Sequence, residues 1–426
     1  MAFILITLAI IYAIFAWKYP RYAVLTFPLL LPAYLLRTKI GPLPTTLLEL
    51  GFLALVLAVT LRTKKTRWSD GIKMLRPWRY ALLLWILASA IAVIVAPDKI
   101  AALGLWRAYI LEPIVYLILL KSYLIDESDR WLVIKSLVAT TIFIAVWSVF
   151  QFTTNIGIPA PWNVGLSLRR ATGPFPFPNA VALYCAPLAV LFFGLAVFPQ
   201  HSARATRYAA RLFPLIGFIS ATVATLLAKS VGGSIAILSC ILLVLLWKRK
   251  TRLPTIGAVL LGAIVLFSVP QLREPTIKTL SFQNWSGRVR VWMWQETADM
   301  LKDRPIFGAG LGGYPATFAP YHKKTFIEIF QYPHNILLNL WTETGLPGIF
   351  AFILIVITWI RLTLKYEVRG TRYASSIISI LPLLAILIHG LVDVPYFKND
   401  LAFQFWILAA LLPTRSSSIQ KSNQKN

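Results

Sequence analysis

His334 and Asn335 stand together in "FQYPHNILLNLWTETGLPG", where a polar stretch gives way to an apolar one. Only four histidines occur in the chain. An imidazole titrates near neutral pH, so His334 is a candidate for taking a proton from a hydroxyl. The plainer reading leaves it an interfacial residue without a task. Arg169 and Arg170 in "LSLRRATGPFPFPNAVALY", with Arg288 and Arg290 in "SGRVRVWMWQETADMLKDRP", offer a complementary chemistry. Guanidinium forks bind phosphate oxygens in bidentate fashion. Two such sites on separate segments would clamp a pyrophosphate; arginines that only snorkel to lipid headgroups are the alternative. Asp393, in "HGLVDVPYF", is a carboxylate in a costly place at the end of an apolar run, which makes it a further candidate. No Cys/His cluster has metal-ligand spacing, and no external Asp-x-Asp pair is available to hold a divalent ion. Neither a metal nor a cofactor is expected. Paired carboxylates of the glycosidase kind are also absent. Gly308, Gly310, Gly312 and Gly313 in "PIFGAGLGGYP" permit turns and close approach of a ligand, but without a following Gly-Lys-Ser/Thr they make no P-loop.

The elements that position these residues read as membrane helices. The chain has 426 residues and is 58% hydrophobic. Crossing a hydrocarbon core of about 30 Å takes roughly 20 apolar helical residues. Such runs fall near 2–17, 22–36, 45–61, 79–96, 101–120, 131–152, 179–198, 210–228, 231–247, 254–270, 346–360, 374–392 and 401–412. Alternating strand patterns are absent, so the expected fold is an all-α polytopic membrane protein, a bundle and not a barrel. The first two runs are short and only Lys18-Tyr19-Pro20-Arg21 separates them, so 12 or 13 transmembrane helices are expected. No charged n-region or small-residue cleavage site marks the first run as a signal peptide, and it should stay as a helix.

The net charge of +26 is distributed in a way that argues against nucleic acid. Arg62, Lys64, Lys65, Arg67, Lys73, Arg76 and Arg79 crowd one connection. Arg204, Arg207 and Arg211 fill a second, Lys248, Arg249, Lys250 and Arg252 a third, and Arg361, Lys365, Arg369 and Arg372 a fourth. Connections poor in Lys and Arg alternate with these, which is the positive-inside pattern, with basic loops facing anionic membrane lipids in the cytoplasm. The tail with Arg415, Lys421 and Lys425 is then cytoplasmic, and 153–178 and 271–334 are external. Cys185 and Cys240 lie within spans and give neither a disulfide framework nor a metal site.

The organisation expected is helices over 1–270, an extracytoplasmic loop with an interfacial helix over 271–334, further helices over 335–412 and a tail over 413–426. The loop helix should run from about Arg288 to Lys302 with Ser286 as N-cap, and Asp303-Arg304-Pro305 should end it. Val289, Trp292, Met293, Met300 and Leu301 would form its apolar stripe, interrupted by Glu296.

Four of these stretches together resemble the O-antigen ligase family, which includes O-antigen polymerases and related lipid-linked oligosaccharide transferases. "RRATGPFPFPN" is similar to the family's external arginine followed by Gly, Pro and Asn at a helix head. "SGRVRVWMW" with "DRPIFGAGLGGY" is similar to its Gly-Arg-x-x-x-Trp helix and the Pro and Gly-x-Gly turn after it. "PHNILLNLWTETGLPG" is similar to its His-Asn pair and Glu-x-Gly-Leu turn, and "HGLVDVPYF" to its late Gly-x-x-Asp segment. The likeness runs over roughly 160–412. "LLAKSVGGSIA" departs from it, carrying Lys229 before the serine where many relatives have Ser-Arg-Gly.

The resemblance implies a GT-C-like fold with one large extracytoplasmic loop in the plasma (inner) membrane. It also implies transfer of a glycan from an undecaprenyl-pyrophosphate carrier to an acceptor hydroxyl on a glycan, lipid or protein. No metal or nucleotide takes part, and the anomeric carbon inverts. His334 becomes the general base, and Arg170 and Arg288 stabilise the leaving pyrophosphate, with Arg169 and Arg290 beside them. Asn335 would orient the imidazole, and Lys229 and Asp393 would support the site. A polymerase would share this chemistry. A flippase or transporter for the same lipid-linked sugar would use the arginines only to bind, and should show repeat symmetry or broken helices.

Overall fold

The computed structural model describes residues 2–40, 43–63, 66–198, 204–365 and 372–412. The expected tail over 413–426 lies outside them, as do Lys64, Lys65 and Arg369. The protein is an all-helical polytopic membrane protein. Among the described residues six helices are long and apolar enough to cross a membrane: Arg76–Val95, Lys99–Tyr123, Glu127–Thr154, Pro178–Val197, Arg249–Ser268 and Ile336–Lys365. Shorter apolar helices occupy Phe3–Lys18, Arg211–Leu227, Val231–Trp247 and Ser376–Gly390.

Two apolar runs differ from expectation, for different reasons. The run at 22–36 is a seven-residue helix, Pro20–Thr26, followed by a 3-10 helix over Phe27–Leu35. Pro28 and Pro32 remove backbone donors that a longer α-helix would need. The run at 401–412 is the helix Asn399–Ala410, in which all twelve residues are buried. Twelve residues rise only about 18 Å, too little to span alone. It is an interior pillar, and its Phe403 packs against Phe27, Phe52 and Tyr116. An antiparallel ribbon, Arg37–Ile40 paired with Leu43–Thr46, was not expected from the sequence. It leads into the helix Leu47–Arg62, where Thr46 and Glu49 form a capping box.

The helix of the long loop runs over Trp285–Asp303, three residues longer at its start than expected. Its N-cap is Asn284 and not Ser286: the Asn284 side chain accepts from Gly287 N at 2.7 Å. Val289, Met293, Met300 and Leu301 are buried on one face, as the pattern implied, while Trp292 is half-buried. Glu296 does not interrupt that face. It is itself buried and accepts from Lys323 N while lying 3.0 Å from His322 Nδ1, which ties the helix to the segment after Tyr321.

The glycine-rich stretch after this helix approaches the protein's own backbone, not a ligand-sized space. Helix Ile336–Lys365 breaks at Gly345, which has φ 68°. The stretch supplies hydrogen bonds at the break: Leu346 N donates to Ile306 O at 2.8 Å, and Ala309 N donates to Thr342 O at 2.7 Å. Glu343 accepts from Gly312 N at 2.6 Å. A Cβ on Gly345 would collide with Ile306 O, in a conformation that L-residues rarely adopt. Gly345→Ala should therefore destabilise the fold by about 1–3 kcal/mol. A thermal melt of the purified variant in detergent checks this, and an unchanged midpoint would contradict it.

Candidate active site

Four separated segments converge at one end of the bundle: 170–179, the loop helix, 330–335 and 389–394. His334 follows Pro333 and precedes the helix starting at Ile336, and it sits in the left-handed region with φ 46°. Such a conformation is costly for a non-glycine residue and persists only where the surroundings enforce it. Here Trp294 of the loop helix donates its indole N–H to Pro333 O at 2.7 Å, and Phe330 and Tyr332 meet the imidazole edge-on. Asn335 caps the following helix, its Oδ1 accepting from Leu337 N and Leu338 N at 3.0 Å each. Its amide donates to Leu391 O at 2.9 Å. Asn335 therefore fixes the backbone on either side of the site and does not orient the imidazole, as had been expected of it.

That orientation comes from Asp393. His334 Nδ1 lies 3.0 Å from Asp393 Oδ1, with the His334 side chain 20% exposed and that of Asp393 3%. Asp393 Oδ1 also accepts from Val394 N, and Oδ2 accepts from Asn179 Nδ2 at 3.0 Å. Burial by itself would raise the Asp393 carboxyl, but His334, His389 and Arg290 outweigh burial and hold it well below the usual carboxylate range. An ionised Asp393 accepts only, so the His334 proton is on Nδ1 and the lone pair is on Nε2. A group lowered in this way adds stability that is full above its ordinary value and is lost as pH falls through the lowered one. The pair is thus stable throughout the neutral range.

Arg170 reaches the same carboxylate through Asn179. Its Nη2 donates to Asn179 Oδ1 at 2.8 Å and its Nε to Ala228 O at 2.9 Å. Arg290 comes from the loop helix, its Nε donating to Val392 O at 2.9 Å and Nη1 to Ser286 O at 3.1 Å. Burial lowers the pKa of both guanidiniums; Arg290 lowers that of Arg170 further, and Asp393 raises each. Two half-buried cations thus gather around one carboxylate, Arg170 through Asn179 and Arg290 through the carbonyl next to Asp393. An anion placed there would relieve the repulsion between them.

The other candidates lie outside this network. Arg288 is exposed, two residues from Arg290 and so on a different helix face, with its guanidinium over the rings of Trp285 and Trp292. Arg169 donates to Phe152 O at 2.6 Å and supports the loop. Lys229, with φ 47°, spends its amine on the carbonyls of Leu166 and Ser167. Sequence reasoning missed two residues. Asn179 is the link between Arg170 and Asp393, and its signal was its place at the head of a helix after a proline-rich turn. His389 is 1% exposed, its ring lying against Gly232 and Gly233 and its Nδ1 without a partner. Its scarcity as one of four histidines was the available signal.

Residues 216–353, which include Arg288, Arg290 and His334, match the family model described as O-antigen ligase. Over this stretch the chain is similar to O-antigen ligases. A protein of Haemophilus influenzae described only as uncharacterised is 27% identical over 205 residues, 43% of this chain and 51% of its own length. A protein of Rickettsia prowazekii, provisionally named a polysaccharide ligase, is 27% identical over 164 residues, 37% of this chain and 40% of its own. The chain thus spans about half, or less, of the length of these relatives. Asn179 and Asp393 lie outside the O-antigen ligase match, so the site is completed by segments on both sides of it.

Proposed function

We propose that this protein is a membrane glycosyltransferase that moves a glycan from an undecaprenyl-pyrophosphate carrier to an acceptor hydroxyl, in the manner of an O-antigen ligase. The observation that carries the reading is the His334–Asp393 pair, which leaves Nε2 as a base, with the half-buried Arg170 and Arg290 around the same carboxylate. The acceptor hydroxyl loses its proton to His334 Nε2 as its oxygen attacks the anomeric carbon. The bond from that carbon to the carrier pyrophosphate breaks, and the pyrophosphate leaves with the electron pair. Arg170 and Arg290 meet its growing negative charge, and Asp393 stabilises the imidazolium. A single displacement of this kind inverts the anomeric carbon.

The proposed setting is the external face of the plasma (inner) membrane, where carrier-linked glycans are consumed, with the basic connections and the C-terminus in the cytoplasm. The acceptor, whether glycan, lipid or protein, separates a ligase from a polymerase of identical chemistry. The test is to analyse the carrier-linked glycans that accumulate in a deletion strain. Long polymer left on the carrier is expected for the ligase reading; single repeat units would make the protein a polymerase. No accumulation at all would remove the transfer reading.

A further inference from the structure

Lys398 is buried, and its ammonium makes no hydrogen bond. It lies 3.7 Å from Asp400, whose carboxylate oxygens have no hydrogen-bond partners either. Three aromatic rings surround it: Tyr34 and Phe175 at 4.9 Å and Phe177 at 5.7 Å. An aliphatic side chain would fill this space without the cost of burying a charge, so the charge calls for an explanation. Its position supplies one. Phe175 and Phe177 belong to the turn that ends at Asn179, and Lys398 ends the segment that contains Asp393. The same two segments are therefore joined twice, by the Asn179–Asp393 hydrogen bond and by the grip of the Lys398 cation on the two phenylalanine faces.

We propose that Lys398 is a positioning residue for the transfer reaction. Its cation–π contacts fix the turn 174–178 against the segment 391–398 and so set where Asn179 holds the Asp393 carboxylate, and through it the His334 imidazole, relative to Arg170. This rests on the transfer reading above. The phenylalanines carry the effect from Lys398 to the turn, and that makes it measurable as a coupling.

The experiment measures kcat and donor KM for transfer from a lipid-linked pyrophosphoryl glycan by purified full-length protein, in Lys398→Met, Lys398→Arg, Phe175→Leu/Phe177→Leu and the combination of Lys398→Met with both leucines. Lys398→Met should lower kcat about ten- to a hundredfold, a loss typical of roughly 1 Å misplacement, while donor KM changes less than about threefold. Lys398→Arg, which keeps the cation over the rings, should recover most of the loss. The combined variant should be no slower than Lys398→Met alone. Wild-type kcat in Lys398→Met, losses that multiply in the combined variant, or Lys398→Arg as slow as Lys398→Met would each overturn the proposal. Should Lys398→Met fail to fold, Lys398→Arg and the leucine pair decide: a wild-type kcat in the leucine pair overturns it. His334→Ala, run in parallel, separates the two readings. Full activity there removes the transfer mechanism, whereas a slow His334→Ala with a fast Lys398→Met removes only the role of Lys398.

Discussion

His334→Ala should lower turnover about 10²–10⁴-fold, the usual contribution of a positioned general base, with donor binding nearly unchanged. The reason is the division of labour that the proposed mechanism gives the site. Binding falls to Arg170 and Arg290, neither of which hydrogen-bonds to His334. The proton falls to Nε2 of an imidazole whose other nitrogen is committed to Asp393. Asp393→Asn should show the same pattern, because an amide facing Nδ1 can place the imidazole proton on the wrong nitrogen. The measurement is transfer and lipid-donor binding, made separately on purified protein. Lost binding with no separate loss of chemistry would turn His334 into a donor-site residue, and wild-type turnover would make it a residue of the interface.

Arg290→Ala should reduce kcat by about 10²–10³-fold, the typical loss when one preorganised donor to a developing anion is removed. Arg288→Ala should cost far less, because Arg288 is exposed and stacked on Trp285 and Trp292 while Arg290 shares its surroundings with Asp393 and Arg170. Arg290→Lys should rescue poorly. The native guanidinium holds Val392 O and Ser286 O with two of its nitrogens and still presents a third, a fork that an ammonium cannot reproduce. Kinetics of the two alanine variants side by side decide the matter. A dead Arg288→Ala beside an active Arg290→Ala would return the pyrophosphate contact to Arg288, the residue that the family likeness pointed to.

The helical membrane architecture was legible in the amino-acid order alone, because hydrocarbon leaves a backbone few options and runs of about 20 apolar residues are readable without any partner. That order also marked candidate residues: charged and titratable groups at the ends of such runs are rare enough to stand out, as His334, Asp393 and the Arg169–Arg170 pair did. Pairings were another matter. Arg288 and Arg290 have the same chemistry and lie two positions apart, and only the rotation of the helix Trp285–Asp303 against the segment 391–398 selects Arg290. Asn335 adjoins His334 in sequence yet caps a helix, while the imidazole's partner is Asp393, 59 residues away. The glycines of 308–313 looked like room for a ligand, and tertiary packing filled that room with the protein itself: the backbone of Trp341 and Thr342 at Gly308, that of Ala92 and Ala96 at Gly310, and Leu105 at Gly312. The fully buried pillar Asn399–Ala410 had the hydropathy of a span, and only its surroundings show it to be interior. Solvent preference belongs to each residue and is written locally, whereas the partner of a buried polar group is set by which distant segment the packing brings within about 3 Å.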